Sequence, residues 1–354
     1  MRKMLVTGSG GLIGGEVAEF FLREGWDVWG VDNNNRKAFF GAQGDTSWRV
    51  RQLQERYAKN YHHSQVDISD RDALKKVFEE AGKDVSAVVH CAAQPSHDLA
   101  AKIPVDDFKT NVMGTFNMLL CSKESFLEAP FVFTSTNKVY GDNPNLIPLK
   151  ENAARSRWVP VDSKWDEGID ETMSLDHCRH SLFGAAKASA DIYVQEFGRY
   201  FNMPTVCLRG GCLTGPNHSG VELHGFLNYL IKCNLEKRKY IVYGYEGKQV
   251  RDNIHAADVA RFIDRFIKAP RSGVVYNIGG GPKNAISILE SFKKIESLTG
   301  IPMQYEMTDQ VRSGDHQWYV SNLSKMKADY PGWDLTKSLD DIFSETVASW
   351  KARL

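Results

Sequence analysis

Short apolar runs alternate with amphipathic stretches through the first 210 residues. Met4-Leu5-Val6 leads through Thr7 into Gly8-Ser9-Gly10-Gly11-Leu12-Ile13-Gly14, and helical spacing follows at Val17, Ala18, Phe20, Phe21 and Leu22. After Gly25 comes a second run, Val28-Trp29-Gly30-Val31, closed by Asp32. Asn33 to Tyr61 is polar and reads as a surface loop with a helical piece. Next come a short run ending at Val66-Asp67-Ile68, a helix over 71–81 and a strand over 86–90 that ends in Cys91-Ala92-Ala93-Gln94. A helix over 108–126, a strand over 131–135, a helix over 182–201 and a strand over 205–209 complete this half. Apolar runs of strand length alternating with helical periods predict an α/β fold, a doubly wound parallel sheet with ligands at the strand C-terminal ends. Those ends are Gly8, Asp32, Asp67, Ala92 and Thr136.

From Gly141 to Asp176 the pattern is irregular, and Trp158 and Trp165 favour an ordered lid over disorder. Beyond Gly215-Pro216 it becomes mixed. Helices are expected near 223–236, 257–267, 286–298 and 339–351, with strands near 240–243 and 274–278. The expected organisation is a Rossmann domain over 1–210 with a lid-like insertion at 141–180, followed by a smaller mixed α/β substrate-binding region over 211–354. Whether the chain crosses back to the sheet is left open.

The 354 residues carry 44 Lys+Arg and 44 Asp+Glu, a formal net charge of zero. That balance argues against a nucleic-acid partner held by phosphate neutralisation. No apolar stretch approaches the ~20 residues of a membrane span, and the chain opens on a strand pattern, so a soluble cytoplasmic protein is expected. The six cysteines (Cys91, Cys121, Cys178, Cys207, Cys212, Cys233) form no C-x-x-C pair, so no metal site is expected.

The glycine turn carries the first chemistry. Strand, glycine turn, helix, strand and acid form the unit that holds a dinucleotide pyrophosphate; the alternative is a glycine-rich turn that binds nothing. Gly8 permits the tight turn, Gly11 lets backbone N–H groups approach phosphates, and Gly14 lets the helix lie on the strand. Gly10, Leu12 and Ile13 complete the turn. Asp32, 18 residues past Gly14, suits the adenosine ribose hydroxyls. Its carboxylate would repel a 2′-phosphate, which favours NAD over NADP, although Arg36 and Lys37 lie close by.

With Thr7 to Gly14, Asp67-Ile68, Ala92-Ala93, Asn111, Ser135-Thr136-Asn137-Lys138-Val139-Tyr140-Gly141 and the helix bearing Lys187, the chain resembles the extended short-chain dehydrogenase/reductase family. Gly244 to His255, Asn277-Ile278-Gly279-Gly280 and Arg312-Ser313-Gly314-Asp315 resemble that family's nucleotide-sugar segments. Asn137-Lys138, Gly168 to Thr172 and Gly247 to Asp252 are most similar to the CDP-tyvelose (CDP-paratose) 2-epimerase subfamily. The resemblance implies an NAD-dependent epimerase of a nucleoside-diphosphate sugar, a CDP-hexose first, acting by transient oxidation to a keto sugar. It also implies a homodimer. Thr136 would bind the reacting hydroxyl and Lys187 the nicotinamide ribose. Asn33, Asp67, Ile68, Ala92, Ala93, Gln94, Asn111, Ser135 and Gly210 would line the cofactor.

The family's base is a tyrosine four residues before the lysine. Here that residue is Phe183, which cannot exchange a proton. An altered base ranks first, with Glu171, Asp176, Cys178, His180, Tyr140, Cys212 and His218 as candidates; Lys187 itself, or a protein that binds without catalysing, are the alternatives. Arg251 and Arg312 are able to fork onto a pyrophosphate. Ser96, His97, Asn137, Lys138, His218 and Asp315 complete the expected substrate contacts. A dehydratase of the family carries Asp-Glu where this chain has Asn137-Lys138, which counts against dehydration; a keto-sugar reductase is a further alternative.

Overall fold

The computed structural model describes residues 1–222, 224–312 and 314–354. Leu223, where the first of the expected late helices began, and Ser313 of the Arg312–Asp315 segment therefore lie outside the described residues. Two compact units divide the chain. The first comprises Met1–Thr136, Leu182–Arg209 and Val259–Tyr276; the second comprises Asn137–Ser181, Gly210–Asp258 and Asn277–Leu354. One break of this division, between Arg209 and Gly210, lies at the expected boundary; the segment expected as a lid falls in the second unit, and 259–276 returns to the first.

The first unit is built on seven strands: β1 (Lys3–Thr7), β2 (Asp27–Val31), β3 (Tyr61–Ser64), β4 (Val85–His90), β5 (Phe131–Thr136), β6 (Thr205–Gly210) and β7 (Val274–Ile278). Their order is β7-β6-β5-β4-β1-β2-β3, and β3, β2, β1, β4 and β5 pair in parallel. The order reverses direction between β1 and β4, the switch point at which doubly wound sheets take ligands. Met4-Leu5-Val6, Ala87-Val88-Val89 and Phe131-Val132-Phe133 are fully buried, as parallel strands covered on both faces require. The expected α/β doubly wound sheet is what the chain forms.

Among the flanking helices are α1 (Leu12–Arg23), α2 (Arg71–Ala81), α3 (Gly114–Ser125) and α4 (Leu182–Phe201). Asp70 caps α2 by accepting from Ala73 N at 3.0 Å. The single helix expected over 108–126 is interrupted: a π turn at Lys109–Met113 precedes α3, with Asn111 inside it. A bidentate pair is buried between α4 and β6, with Arg209 Nε and Nη2 donating to Asp191 Oδ2 and Oδ1 at 3.1 and 2.8 Å.

In the second unit, Val250–His255 lies in the middle of a small sheet. It pairs antiparallel with Ala285–Ser287 and parallel with Trp318–Tyr319 and Cys212–Thr214. Helices Phe226–Leu235, Ile288–Thr299 and Leu339–Arg353 pack a separate core around Leu230, Ile231, Ile295, Ile342 and Phe343. Ser287 with Glu290 and Ser338 with Asp341 form capping boxes that start two of these helices. Segment 137–181 joins this unit for definite reasons. Its hairpin Leu149–Asn152/Arg157–Pro160 sends Arg157 onto Glu290 at 2.7 Å, and Ile169 exchanges backbone bonds with Val320 and Asn322 at 2.7 and 2.8 Å.

Asp191→Ala removes the buried carboxylate that takes both Arg209 bonds, so a loss of about 3–5 kcal/mol is expected. A lowered urea midpoint with an unchanged slope is the check; a midpoint within error of the parent contradicts it.

Candidate functional site

The first unit presents a glycine cradle. Gly8 has a φ of +68° and its N–H donates to Val31 O at 2.8 Å. A Cβ there would sit 2.8 Å from the Ala92 nitrogen, and one on Gly14 would sit 2.1 Å from the Gly8 carbonyl oxygen. Backbone must pass this close for the turn to form, and only glycine allows it. Gly11 caps α1 with no side-chain bond, and the first turn carries no acid. Bare N–H groups and the helix dipole thus meet at one point, which suits a pyrophosphate.

Asp32 is oriented from both sides: Gly10 N donates to Oδ2 at 2.9 Å and Asn34 N to Oδ1 at 2.7 Å. Asn33 Nδ2 donates to Asp67 Oδ2 at 3.1 Å, and an open cleft lined by Asn35, Phe39, Asp67, Ser69, Asp106 and Lys109 adjoins it. Ile13 and Ile68 are buried in the core, Leu12 is half-buried, and Gly210 ends β6.

Three expected contacts turn inward instead. Gln94 Nε2 donates to Asp107 Oδ1 at 2.7 Å and to Ser96 O at 2.9 Å, and its Oε1 accepts from Ser96 N. Asn111 Nδ2 donates to Gln94 O and to Asp107 Oδ1, while its Oδ1 accepts from Gln94 N. Ser96 Oγ accepts from Leu99 N and is fully buried. These side chains hold the loop after β4, which leaves Ala92 and Ala93 as its half-buried lining. Half-buried His97 lies 3.2 Å from Asp98 Oδ1. Sequence reasoning missed Asp107; its spacing four residues before Asn111 was the available signal. It also missed His90. Thr7 Oγ1 lies 2.6 Å from His90 Nδ1 and Thr115 Oγ1 3.0 Å from Nε2, and burial drives the imidazole pKa down to about 3, so the ring stays neutral.

Lys187, on α4, is 3% exposed. Its Nζ donates to Thr134 O at 2.9 Å and stands 4.0 Å from the Phe133 ring centroid. Among the described residues no carboxylate pairs with it, because Asp191 is taken by Arg209 and accepts from Ser135 Oγ at 2.6 Å. Desolvation lowers the amine pKa to about 8. Phe183, one turn earlier on the same helix, is also buried. Thr136 ends β5 half-buried. Cys91 is no base: burial pushes its thiol up to about 12.

The second unit holds the remaining candidates. His180 Nε2 donates to Val139 O at 2.8 Å and its Nδ1 faces Cys178 Sγ at 3.5 Å, so both ring nitrogens meet protein atoms. Glu171 Oε1 accepts from Asn277 N at 2.6 Å, and burial raises its carboxyl pKa. Tyr140 donates to Asn277 Oδ1 at 2.7 Å. These bonds tie the unit together, and they use His180 Nε2 and the Tyr140 hydroxyl as donors. His218, expected near a pocket rim, is 3% exposed and its ring lies against Gly225. Arg251 Nη2 donates to Asp315 Oδ1 at 2.5 Å and to His316 O; Lys138 Nζ donates to Gly314 O at 2.8 Å. The Arg312 guanidinium stacks 4.3 Å from the Tyr243 ring centroid, and Asn137 is buried.

Residues 4–279 match the NAD dependent epimerase/dehydratase family. The chain belongs to this family. Its cofactor is NAD, and the glycine cradle with Asp32 fits that dinucleotide. The chain is 29% identical to CDP-paratose 2-epimerase of Salmonella typhi, over 92% of each sequence. It is 28% identical to UDP-glucuronate 4-epimerase of Thermodesulfobacterium geofontis, over 98% of this chain and 95% of that one. Among solved structures it resembles a tyrosine-to-phenylalanine mutant of UDP-glucuronic acid 4-epimerase from Bacillus cereus, in complex with UDP-4-deoxy-4-fluoro-glucuronic acid and NAD. That likeness has a TM-score of 0.80 at 24% identity and covers 100% of both chains. Among the described residues no helix is long and apolar enough to cross a membrane, and no cluster of metal ligands forms.

Asp32→Ala removes the carboxylate that excludes a 2′-phosphate. NADPH affinity relative to NADH is expected to rise about tenfold, some 1.4 kcal/mol. Fluorescence titration with both nucleotides reads this; an unchanged ratio assigns the discrimination elsewhere.

Proposed function

We propose that this protein is an epimerase of a nucleoside-diphosphate hexose, CDP-hexose first, in which the Lys187 amine does the proton work that the family gives to a tyrosine. One observation carries the reading: a buried amine with no carboxylate partner among the described residues stands one helical turn from Phe183, whose ring exchanges no proton. NAD, when bound, supplies the hydride acceptor and donor.

The residues divide the remaining work. The glycine turn holds the pyrophosphate of the cofactor and Asp32 its ribose. Thr136 orients the reacting hydroxyl. Neutral Lys187 Nζ accepts the hydroxyl proton and returns it, and a pKa of about 8 keeps a useful fraction neutral near physiological pH. Phe183 adds apolar surface that keeps water from competing. Arg251 and Arg312 take the diphosphate of the substrate. Asn137 and Lys138 offer no carboxylate to expel a sugar hydroxyl, which favours epimerisation over dehydration.

We further propose a homodimer through α4 and the helix before it. Phe108, Met113, Ile192 and Tyr193 expose apolar side chains there, and Tyr193 packs edge-on against Phe116.

Three measurements test the activity. CDP-, UDP- and GDP-hexoses incubated with the protein in D2O and followed by NMR and mass should show stereoinversion without loss of water. Loss of water, net consumption of NADH, or binding without turnover points respectively to a dehydratase, a reductase or a non-catalytic protein, and each rejects the proposal. With the turning-over sugar, log kcat/KM should rise with pH and level off above about 8, since only the neutral amine accepts a proton. Lys187→Met should lower kcat at least ~100-fold. A profile flat from pH 6 to 9 removes Lys187 from the proton path.

A further inference from the structure

Lys138 is a half-buried cation of the second unit. It follows Thr136-Asn137 directly and reaches the turn after residue 313. Its Nζ donates to Gly314 O at 2.8 Å and lies 3.9 Å from Asp315 Oδ1, with 15% of the side chain exposed. The same turn is fastened from other segments as well. Arg251 Nη2 donates to Asp315 Oδ1 at 2.5 Å, and Asn145 Nδ2 to Asp315 O at 2.9 Å. Gln317 N donates to Asn145 Oδ1 and His316 Nε2 to Gly141 O, both at 2.8 Å. Thus 314–317 is stitched to 138–145.

Neutral tethers suffice to hold a turn, so the charge on Lys138 asks for a further explanation. Two cations share one carboxylate. Burial alone would raise the Asp315 carboxyl, but Arg251 and Lys138 more than reverse this and hold it well below the usual range. His316 is kept neutral, because burial and both cations push its pKa well below the usual value. Lys138, Arg251 and Asp315 therefore carry a net charge of about +1 in a poorly solvated place, where an incoming anion gains most. Without Lys138 the set would be neutral, and Asp315 would hold Arg251 alone.

We propose that Lys138 is a positioning residue for the diphosphate of the substrate. It keeps the 314–317 turn seated and shares Asp315, so that Arg251 retains attraction for an anion. The proposal rests on the reading above that Arg251 meets a nucleoside diphosphate. It goes beyond that reading, and beyond the direct contact expected of Lys138, in making its share of substrate affinity and of the salt dependence act through Asp315 and Arg251.

The full-length protein is titrated calorimetrically with CDP and, as an uncharged reference, cytidine, from low to moderate salt. The parent, Lys138→Gln and Lys138→Arg are compared, with NADH binding as the control for an intact first unit. Lys138→Gln should weaken CDP about tenfold and flatten its dependence on ionic strength. Cytidine and NADH binding should hold, and Lys138→Arg should restore most of the loss. Equal CDP affinity and salt slope in Lys138→Gln overturns the inference, as does an equal loss in both variants, which would mark Lys138 as packing alone. If the parent binds none of CDP, UDP and GDP, the proposed function itself fails, and that outcome differs from every other.

Discussion

A protonated amine out of water, with no carboxylate to neutralise it, is unfavourable by several kcal/mol unless its surroundings compensate. Lys187 is in that position. Its stabilisation comes from the Thr134 carbonyl and the π face of Phe133, a dipole and a quadrupole in place of a charge. Asp191, one turn further along α4, would serve as counter-ion, but Arg209 takes both of its oxygens and Ser135 adds a third donor. The buried Arg209–Asp191 pair therefore does two things at once. It fixes α4 against β5 and β6, and it engages the Asp191 oxygens, so that Asp191 acts on Lys187 through its field alone, which raises the amine pKa less than burial lowers it.

Around that amine the neighbours are arranged so as not to compete. His90 meets Thr7 and Thr115, is neutral at any physiological pH, and stacks on Phe133, the same ring that Lys187 faces. The Cys91 thiol stays protonated. In the first unit, Lys187 is the buried side chain here whose proton affinity lies within reach of neutral pH. The glycine cradle obeys the same economy: the Gly8 and Gly14 backbones come so close that no side chain fits, leaving N–H groups as the donors to an anion.

How much of this was legible depends on range. The alternation of strands and helices in the first unit is local, since parallel strands buried on both faces read as apolar runs, and those elements lie close to where periodicity puts them. The glycine turn and Asp32 were legible because their spacing is dictated by one βαβ unit. The strand Val250–His255 was not, for Val-Arg-Asp-Asn-Ile-His has no apolar run, and its buried carboxylate is held from a distance: Asp252 accepts from Gly281 and Ser321, 29 and 69 residues on. The allegiance of 137–181 was hidden for the same reason, resting on bonds such as Arg157 to Glu290. Gln94, Ser96 and Asn111 look in sequence like ligand residues, yet Asp107 draws Gln94 and Asn111 inward and Leu99 N takes the Ser96 hydroxyl; the four-residue spacing of Asp107 and Asn111 signals one of these bonds alone.

Phe183 looks different in this light. A phenol one turn before the lysine would be a hydrogen-bonding partner and a second titrating group, so the pair would share one proton and titrate together. A phenyl ring removes that partner and adds apolar surface, and both changes disfavour the charged amine. Proton transfer is most effective when the group's pKa is near the working pH, and a solvated lysine at ~10.4 is poorly matched. Burial brings Lys187 to about 8 before any ligand arrives. A bound nicotinamide cation would repel a protonated amine and lower it further. The substitution that deletes the usual base thus favours the conditions under which its neighbour is able to replace it.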